Sequence, residues 1–378
     1  MKNKILILSC NTGEGHNSAA KALKQEAEKE GLQCDIYDAL GLAGNWLSRR
    51  VSRIYLKSVQ VSLFSTGYAI GEWYSSLASK PKSPIYRFNK IYAKNLYKLI
   101  RDNGYNAVVC THPFPTEALT YLKENYSLTV LTFFVSTDYT CYPFLDETDI
   151  DGYMIAHPDL ADEFISKGIP AERIHPTGIP CSVNACRTPK DEARKELDEA
   201  YGWDIGSISG RWFLIMGGSM GFGDIEEMVR CLWRRCRQYD RIICVCGNNK
   251  KQKRKLDKIY SGSSTVLTIG YSDKIPLLMD ACDVLFTKPG GLTSTEALNQ
   301  GIPIIHTAPI KGIEDKNARF FNERGMSFTS PYSEDMAEYA FRLCEEENCR
   351  NEMLESQKHN RLANAAFNIL TIIKTQTK

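Results

Sequence analysis

The chain alternates short apolar runs with longer stretches whose apolar residues recur at helical spacing. The runs are Ile5 to Cys10, Cys34 to Tyr37, Ala107 to Cys110, Val130 to Val135 and Gly152 to Ile155, then Trp212 to Met216, Ile242 to Cys246, Val266 to Ile269, Val284 to Phe286 and Ile302 to His306. Runs this short and continuously apolar predict strands buried on both faces, and their alternation with helices predicts parallel sheets in an α/β protein. The series occurs twice. The first closes near Gly178-Ile179-Pro180, a polar helix-like piece follows from Lys190 to Tyr201, and the second opens at Trp212. Two doubly wound, Rossmann-like domains are therefore expected, 1–180 and 181–355, with ligands where their strand C-termini face a central cleft. A last apolar-periodic helix, from about Glu352 to Lys374, has no strand after it and is expected, as 356–378, to pack back on the first domain.

One region breaks the rhythm. About seventy residues separate the second run from the third, more than a crossover needs, and insertions of this size usually carry function. At 100° per residue Arg49, Arg50, Arg53 and Lys57 fall on one arc, and Leu47, Val51, Ile54 and Tyr55 on the opposite one. The stretch reads as a basic amphipathic helix, with Trp46, Phe64, Trp73 and Tyr74 nearby, residue types that favour a lipid interface. A surface helix with solvated charges gives the same pattern, so the stretch alone leaves both readings open.

Length and composition narrow the field. With 378 residues the chain suits two domains, and a formal charge of +2 gives no global field toward nucleic acid, so none is expected as a partner. Thirteen cysteines occur without CxxC or spaced Cys/His pairs, several of them inside apolar runs, such as Cys110, Cys244, Cys246 and Cys282. They read as reduced core residues of a cytoplasmic protein, with no metal site. The opening apolar run is a first buried strand and not a signal peptide, and no stretch approaches the ~18 apolar residues of a membrane span. If a membrane matters, the protein lies on it. Asp149-Ile150-Asp151 imitates a metal-binding DxD, but it leads into an apolar run and reads as a polar strand entry.

Three glycine turns follow predicted strands. Lys288-Pro289-Gly290-Gly291-Leu292-Thr293-Ser294-Thr295-Glu296 opens a helix with hydroxyl side chains. Glycines let backbone amides approach a phosphate, the helix start aims its unpaired donors at it, and Glu296 is placed to accept from ribose hydroxyls. A βα loop with a Thr or Ser cap and a first-turn Glu needs no ligand, so the segment alone is undecided. Met216-Gly217-Gly218-Ser219-Met220-Gly221-Phe222-Gly223 holds four glycines in seven residues from Gly217, more than a turn requires. In Asn11-Thr12-Gly13-Glu14-Gly15-His16-Asn17-Ser18, His16 stands at a helix start, where it is either a cap or a base able to take a proton from an attacking hydroxyl. A dinucleotide fingerprint fits poorly, because Ser18 replaces the third glycine and Glu14 and His16 crowd the pyrophosphate path, even though Asp35 or Asp38 imitates the ribose acid. His112-Pro113-Phe114-Pro115 ends the third strand and reads as lining the cleft.

These turns, with Thr177-Gly178-Ile179-Pro180 and the block from Lys288 to Asn317, resemble the monogalactosyldiacylglycerol synthase and processive diacylglycerol glucosyltransferase family, part of glycosyltransferase family 28 and related to the peptidoglycan N-acetylglucosaminyltransferase. The resemblance implies a GT-B fold and inverting, metal-independent transfer of a hexose from a UDP-sugar to a lipid hydroxyl, with no cofactor beyond the donor. The expected partners are a UDP-hexose, a lipid acceptor and the anionic inner face of the cell membrane, on which the protein would be peripheral. Carried over by position, it makes His16 the general base and places Gly218 and Ser219 near the diphosphate. Tyr271 to Ile275 match the uracil contact, Gly290, Gly291, Leu292, Thr293 and Ser294 the phosphate turn, Glu296 the ribose acid, and Glu314 and Asn317 the donor hexose. Arg49, Arg50, Arg53, Lys57, His112 and Asp138 fall to the acceptor and membrane side. The chain departs from the family at Ile313, where Gln is frequent, and at Tyr142, where His is usual. Another UDP-sugar enzyme of the same fold, a UDP-N-acetylglucosamine 2-epimerase or a polyprenyl-acceptor transferase, is the alternative. A nucleotide sensor or membrane adaptor would keep the donor turn without a base.

Overall fold

The computed structural model describes residues 4–11, 14–44, 69–74, 81–181, 187–217, 225–307, 309 and 311–377. Two compact units emerge: Met1–Ser182 with Ile310–Lys316 and Leu362–Lys378, and Val183–Pro309 with Asn317–Arg361. Each is built on a six-stranded sheet in which every described pairing is parallel.

The first sheet runs β2-β1-β3-β4-β5-β6, from β1 Lys4–Ser9, β2 Gln33–Asp38, β3 Ala107–Cys110, β4 Leu131–Val135, β5 Gly152–Ile155 and β6 Ile174–Pro176. Helices α1 Glu14–Lys29, α2 Pro84–Asn103, α3 Pro113–Tyr126 and α4 Ala161–Ser166 belong to it. The second sheet runs β12-β11-β10-β7-β8-β9, from β7 Trp212–Met216, β8 Arg241–Val245, β9 Val266–Ile269, β10 Val284–Thr287, β11 Ile304–His306 and β12 Phe328–Thr329. Its helices are α5 Lys190–Tyr201, α6 Ile225–Trp233, α7 Lys250–Ile259, α8 Ile275–Ala281, α9 Gly291–Gln300, α10 Ile313–Glu323, α11 Ser333–Glu345 and α12 Glu347–Asn360, with the start of α10 grouped in unit 1.

The ten apolar runs are all strands: eight are central, where a covered parallel sheet must be apolar on both faces, and two, β2 and β9, are edges. Two further strands, β6 and β12, carry no such run. Both are sheet edges, three and two residues long, and neither has a buried residue. An edge strand is paired on one side only and needs no continuous apolar sequence.

The helix expected from Glu352 to Lys374 is two. Helix α12 stops at Asn360, Asn364 takes a left-handed conformation (φ 58°), and α13 runs from Ala365 to Gln376. Ile369, Leu370 and Ile373 of α13 join Ile7, Leu23, Val109 and Phe133 in the core of unit 1. Gly178 makes the seat for this return: its φ is +87°, and a Cβ on it would lie 3.1 Å from Leu362 Cβ and 3.2 Å from Ala365 Cβ. Gly178→Ala is therefore expected to destabilise unit 1 by roughly 1–3 kcal/mol, from left-handed strain plus the displaced helix start. A urea titration followed by circular dichroism checks this, and an unshifted midpoint would show that the seat tolerates a methyl group.

Candidate active site

The first sheet reverses its strand order between β1 and β3, and in a doubly wound sheet the loops leaving such neighbours part to form a crevice. His16, on the first turn of α1, and His112, the N-cap of α3, stand on those two loops. His16 Nδ1 lies 2.7 Å from the Thr111 carbonyl oxygen and 3.0 Å from Thr137 Oγ1. A carbonyl only accepts, so Nδ1 carries the proton and Nε2 keeps its lone pair. Thr111 Oγ1 donates back to the His16 carbonyl at 3.1 Å, so one residue holds the histidine by side chain and backbone. Thr137 Oγ1 is 2.9 Å from Tyr142 Oη, which donates to Asp138 Oδ2 at 2.5 Å. Burial pushes the imidazole below its ordinary range, and the Asp138 charge and the Thr111 carbonyl only partly offset it. The ring is neutral at pH 7.

His112 is the opposite tautomer. Its Nδ1 accepts from the Phe114 N–H at 3.1 Å, capping α3 with Pro113 at the next position, so its proton sits on Nε2. The two imidazoles meet edge to face with 4.5 Å between centroids. Burial, and then the neighbouring His16, push His112 well below the usual range. A bare ring nitrogen and a ring N–H thus share one strand-end crevice. Sequence reasoning gave His112 to the acceptor side without seeing that it also caps a helix.

The second sheet reverses between β7 and β10, and residues 289–291 follow β10 as Gly217 follows β7. Helix α9 begins at Gly291 after Gly290, which is extended (φ −76°, ψ 138°) and gives no side-chain cap. By helix geometry the amides of Gly291, Leu292 and Thr293 point out of this helix start. A Cβ on Gly290 would meet nothing within 4 Å, so the space beside the turn is open. Glu296 is half-buried one turn further on, and burial lifts its carboxyl to about 7.

Two of the residues that the resemblance assigns to the donor, Ser294 and Asn317, have buried side chains. Ser294 is fully buried, its N–H bonds the Gly290 carbonyl at 3.0 Å, and its hydroxyl lies 3.0 Å from His306 Nε2. His306 Nδ1 is 3.0 Å from Ser327 Oγ, and burial drives this ring down to about 3, neutral throughout the useful range. Asn317 is likewise buried and donates from Nδ2 to the Pro289 carbonyl at 2.9 Å. Both brace the turn from behind, since each sits on the core-facing side of its helix, Asn317 beside Ala318 and Phe321.

The remaining assignments are scattered. Glu314 is half-buried at the second position of α10, whose start is closed by the Gly312 N–H bonded to Asp315 Oδ2 at 3.1 Å. Tyr271 is 69% exposed, and Ser272 fixes the loop ahead of Ile275 by accepting from the Lys274 N–H at 3.0 Å. Gly218 and Ser219, and the basic residues Arg49, Arg50, Arg53 and Lys57, lie outside the described residues. Asp151 accepts from Lys123 at 2.8 Å and from the Thr132 N–H and hydroxyl at 2.8 and 2.7 Å, while Asp149 pairs with Arg173 at 2.6 Å. Burial alone would raise the Asp151 carboxyl, but these donors hold it low. Among the described residues no three His, Cys, Asp or Glu side chains gather as a metal site, and no helix is long and apolar enough to cross a membrane.

Sequence reasoning missed one surface. Helix α2 is sharply bounded, capped by Ser83 with Pro84 at its first position and ended by left-handed Gly104. It buries Tyr86, Asn89, Tyr92, Ala93, Leu96 and Ile100. Its outer face exposes Arg87, Lys90, Lys94, Lys98 and Arg101, with Ile91 60% exposed among them. These six fall within about 100° of arc, and the five cations span about 21 Å of helix. Arg87, Lys94 and Lys98 form no ion pair among the described residues. The i, i+3, i+7, i+11, i+14 spacing is legible in the sequence.

Comparison with known proteins bears on the family and the fold. The profile of the monogalactosyldiacylglycerol (MGDG) synthase family matches residues 16–181, and that of glycosyl transferases group 1 matches residues 224–360. A processive diacylglycerol beta-glucosyltransferase of Bacillus licheniformis is 29% identical over 99% of this chain and 95% of its own. Its Bacillus subtilis namesake is 27% identical over 99% and 96%. Among solved structures, Acinetobacter baumannii MurG superposes with a TM-score of 0.63 at 12% identity over 99% of both chains. A Neisseria meningitidis UDP-GlcNAc 2-epimerase bound to UDP-GlcNAc gives 0.63 at 12% identity over 99% of this chain and 100% of its own. Identities this low speak for the fold alone, which is GT-B. With a monogalactosyldiacylglycerol synthase domain followed by a glycosyl transferases group 1 domain, and with processive diacylglycerol beta-glucosyltransferases similar over nearly its full length, the chain is a glycosyltransferase.

Proposed function

We propose that the protein moves a hexose from a UDP-sugar to the hydroxyl of diacylglycerol, with inversion at the anomeric carbon, on the cytoplasmic face of the cell membrane. The observation that carries this reading is the His16 tautomer. With Nδ1–H committed to the Thr111 carbonyl, Nε2 is a neutral nitrogen with a free lone pair, at the strand end where the family's glycine turn begins. In the reaction the acceptor oxygen attacks the anomeric carbon, the bond from that carbon to the diphosphate breaks, and the acceptor proton passes to Nε2. Charge building on the departing UDP meets the amides and the partial positive charge at the start of α9. That helix start takes the part a cation would otherwise play, so the reading needs no metal.

The donor assignment draws on the open turn at Gly290, on Glu296, and on the UDP-sugar bound by the structurally similar epimerase. The Thr287 hydroxyl is buried at the end of β10, the strand that leads into this turn. The lipid acceptor draws on the relatives' names and on the basic ridge of α2, which suits an anionic surface.

Glu296 makes the donor half testable without an acceptor. An ionised carboxylate accepts from both ribose hydroxyls and a protonated one does not, so with a carboxyl near 7, UDP affinity should fall as pH falls through that value. Calorimetry between pH 8 and 6 is expected to read an affinity loss of about tenfold, the change in the ionised fraction. Glu296→Gln should flatten this, leaving only the ionisation of UDP itself. Equal pH dependence in both proteins would remove Glu296 from the ribose site.

A further inference from the structure

We infer that Tyr142 and Thr137 are positioning residues that carry the influence of Asp138 to His16 through a chain of hydroxyls, in place of a direct carboxylate contact. The inference rests on His16 as the base of the proposed reaction and names what tunes it. Donor accounting gives the chain one direction. The Thr111 carbonyl at one end and the Asp138 carboxylate at the other can only accept. Tyr142 has a single hydroxyl proton and gives it to Asp138 at 2.5 Å, so its oxygen receives the Thr137 proton at 2.9 Å. The Thr137 oxygen in turn receives a share of the His16 Nδ1–H at 3.0 Å, the rest going to Thr111 at 2.7 Å. Every proton leans toward Asp138. None changes owner when Nε2 gains a proton; the chain polarises, and successive hydrogen bonds in a buried setting strengthen one another.

The loop that carries the relay is held independently of His16. Ser136 Oγ donates to the Asp138 carbonyl at 2.9 Å, and Glu163 of α4 accepts from the Thr140 hydroxyl at 2.8 Å and the Cys141 N–H at 3.2 Å. Lys167 donates to the Cys141 carbonyl at 2.9 Å. The Tyr142 ring stands edge-on to Phe134 at 5.9 Å, a packing that phenylalanine would keep. Among the described residues the titratable groups facing His16 are Asp138 and Tyr142 from this loop and neutral His112 from the start of α3, and of these the Asp138 charge favours the proton on His16.

The test is an NMR titration of the His16 ring in the free protein, its signal assigned by loss in His16→Gln. Tyr142→Phe and Asp138→Asn are each expected to weaken proton binding at His16 roughly tenfold, and the double variant no further, since a broken chain cannot be broken twice. Thr137→Val should match Tyr142→Phe, and Thr137→Ser should restore the wild-type titration. A Tyr142→Phe titration within about twofold of wild type would overturn the relay, as would Asp138→Asn lowering it equally with and without the Tyr142 hydroxyl. Because no substrate is present, a positive titration in a protein that transfers no sugar would sink the proposed reaction and leave the relay standing.

Discussion

His16→Ala is expected to lower turnover by roughly 10²–10⁴-fold, the range a positioned general base contributes, while UDP affinity stays within about twofold of wild type. The separation of the two effects follows from where the residues stand. His16 belongs to unit 1, on α1, and makes its hydrogen bonds to Thr111 and Thr137. The turn proposed to hold the donor belongs to unit 2, where Pro289 is held by Asn317 and Ser294 by His306. Removing the imidazole leaves all of the second set intact. Initial rates at saturating donor, with UDP binding measured on the same preparation, give both numbers. A turnover loss below about tenfold would mean that another group takes the acceptor proton.

The second large effect belongs to the membrane. Arg87→Glu, Lys94→Glu and Lys98→Glu in one protein should reduce binding to vesicles rich in anionic lipid by at least about 100-fold, since each cation near such a surface is worth about 1 kcal/mol and reversal adds repulsion. All three side chains are exposed and point away from the buried face of α2, so folding and UDP affinity are expected to be unchanged. Raising the salt concentration should weaken the wild type toward the variant. Unchanged co-sedimentation of the triple variant would move the lipid contact elsewhere, to the basic stretch at Arg49 to Lys57 in the first instance.

Much of the fold was legible because a covered parallel sheet forces its central strands to be apolar on both faces. Runs such as Ala107 to Cys110 and Trp212 to Met216 coincide with their strands. The edges β6 and β12 were not legible, as neither needs an apolar sequence. The positions of His16 and Gly290 on βα turns at strand C-termini were legible from the glycine turns that follow apolar runs. What the sequence could not tell is which face of a helix a polar residue takes in its first turns. The Ser294 side chain turns to His306 and that of Asn317 to Pro289. Nor could it tell the tautomer of His16, which depends on a carbonyl ninety-five residues away in sequence. The α2 ridge is written in its spacing as plainly as the basic arc at Arg49 to Lys57.

The central claim, hexosyl transfer from a UDP-sugar to diacylglycerol, is tested most directly by incubating the protein with vesicles of diacylglycerol and anionic phospholipid and each of a panel of UDP-hexoses, then measuring UDP release and the anomeric configuration of the lipid product by proton NMR. The account predicts UDP release only when both lipid and one donor are present, with a glycosyldiacylglycerol of inverted, β configuration. UDP released without lipid, a product that retains the donor's configuration, or no release with any donor would contradict it.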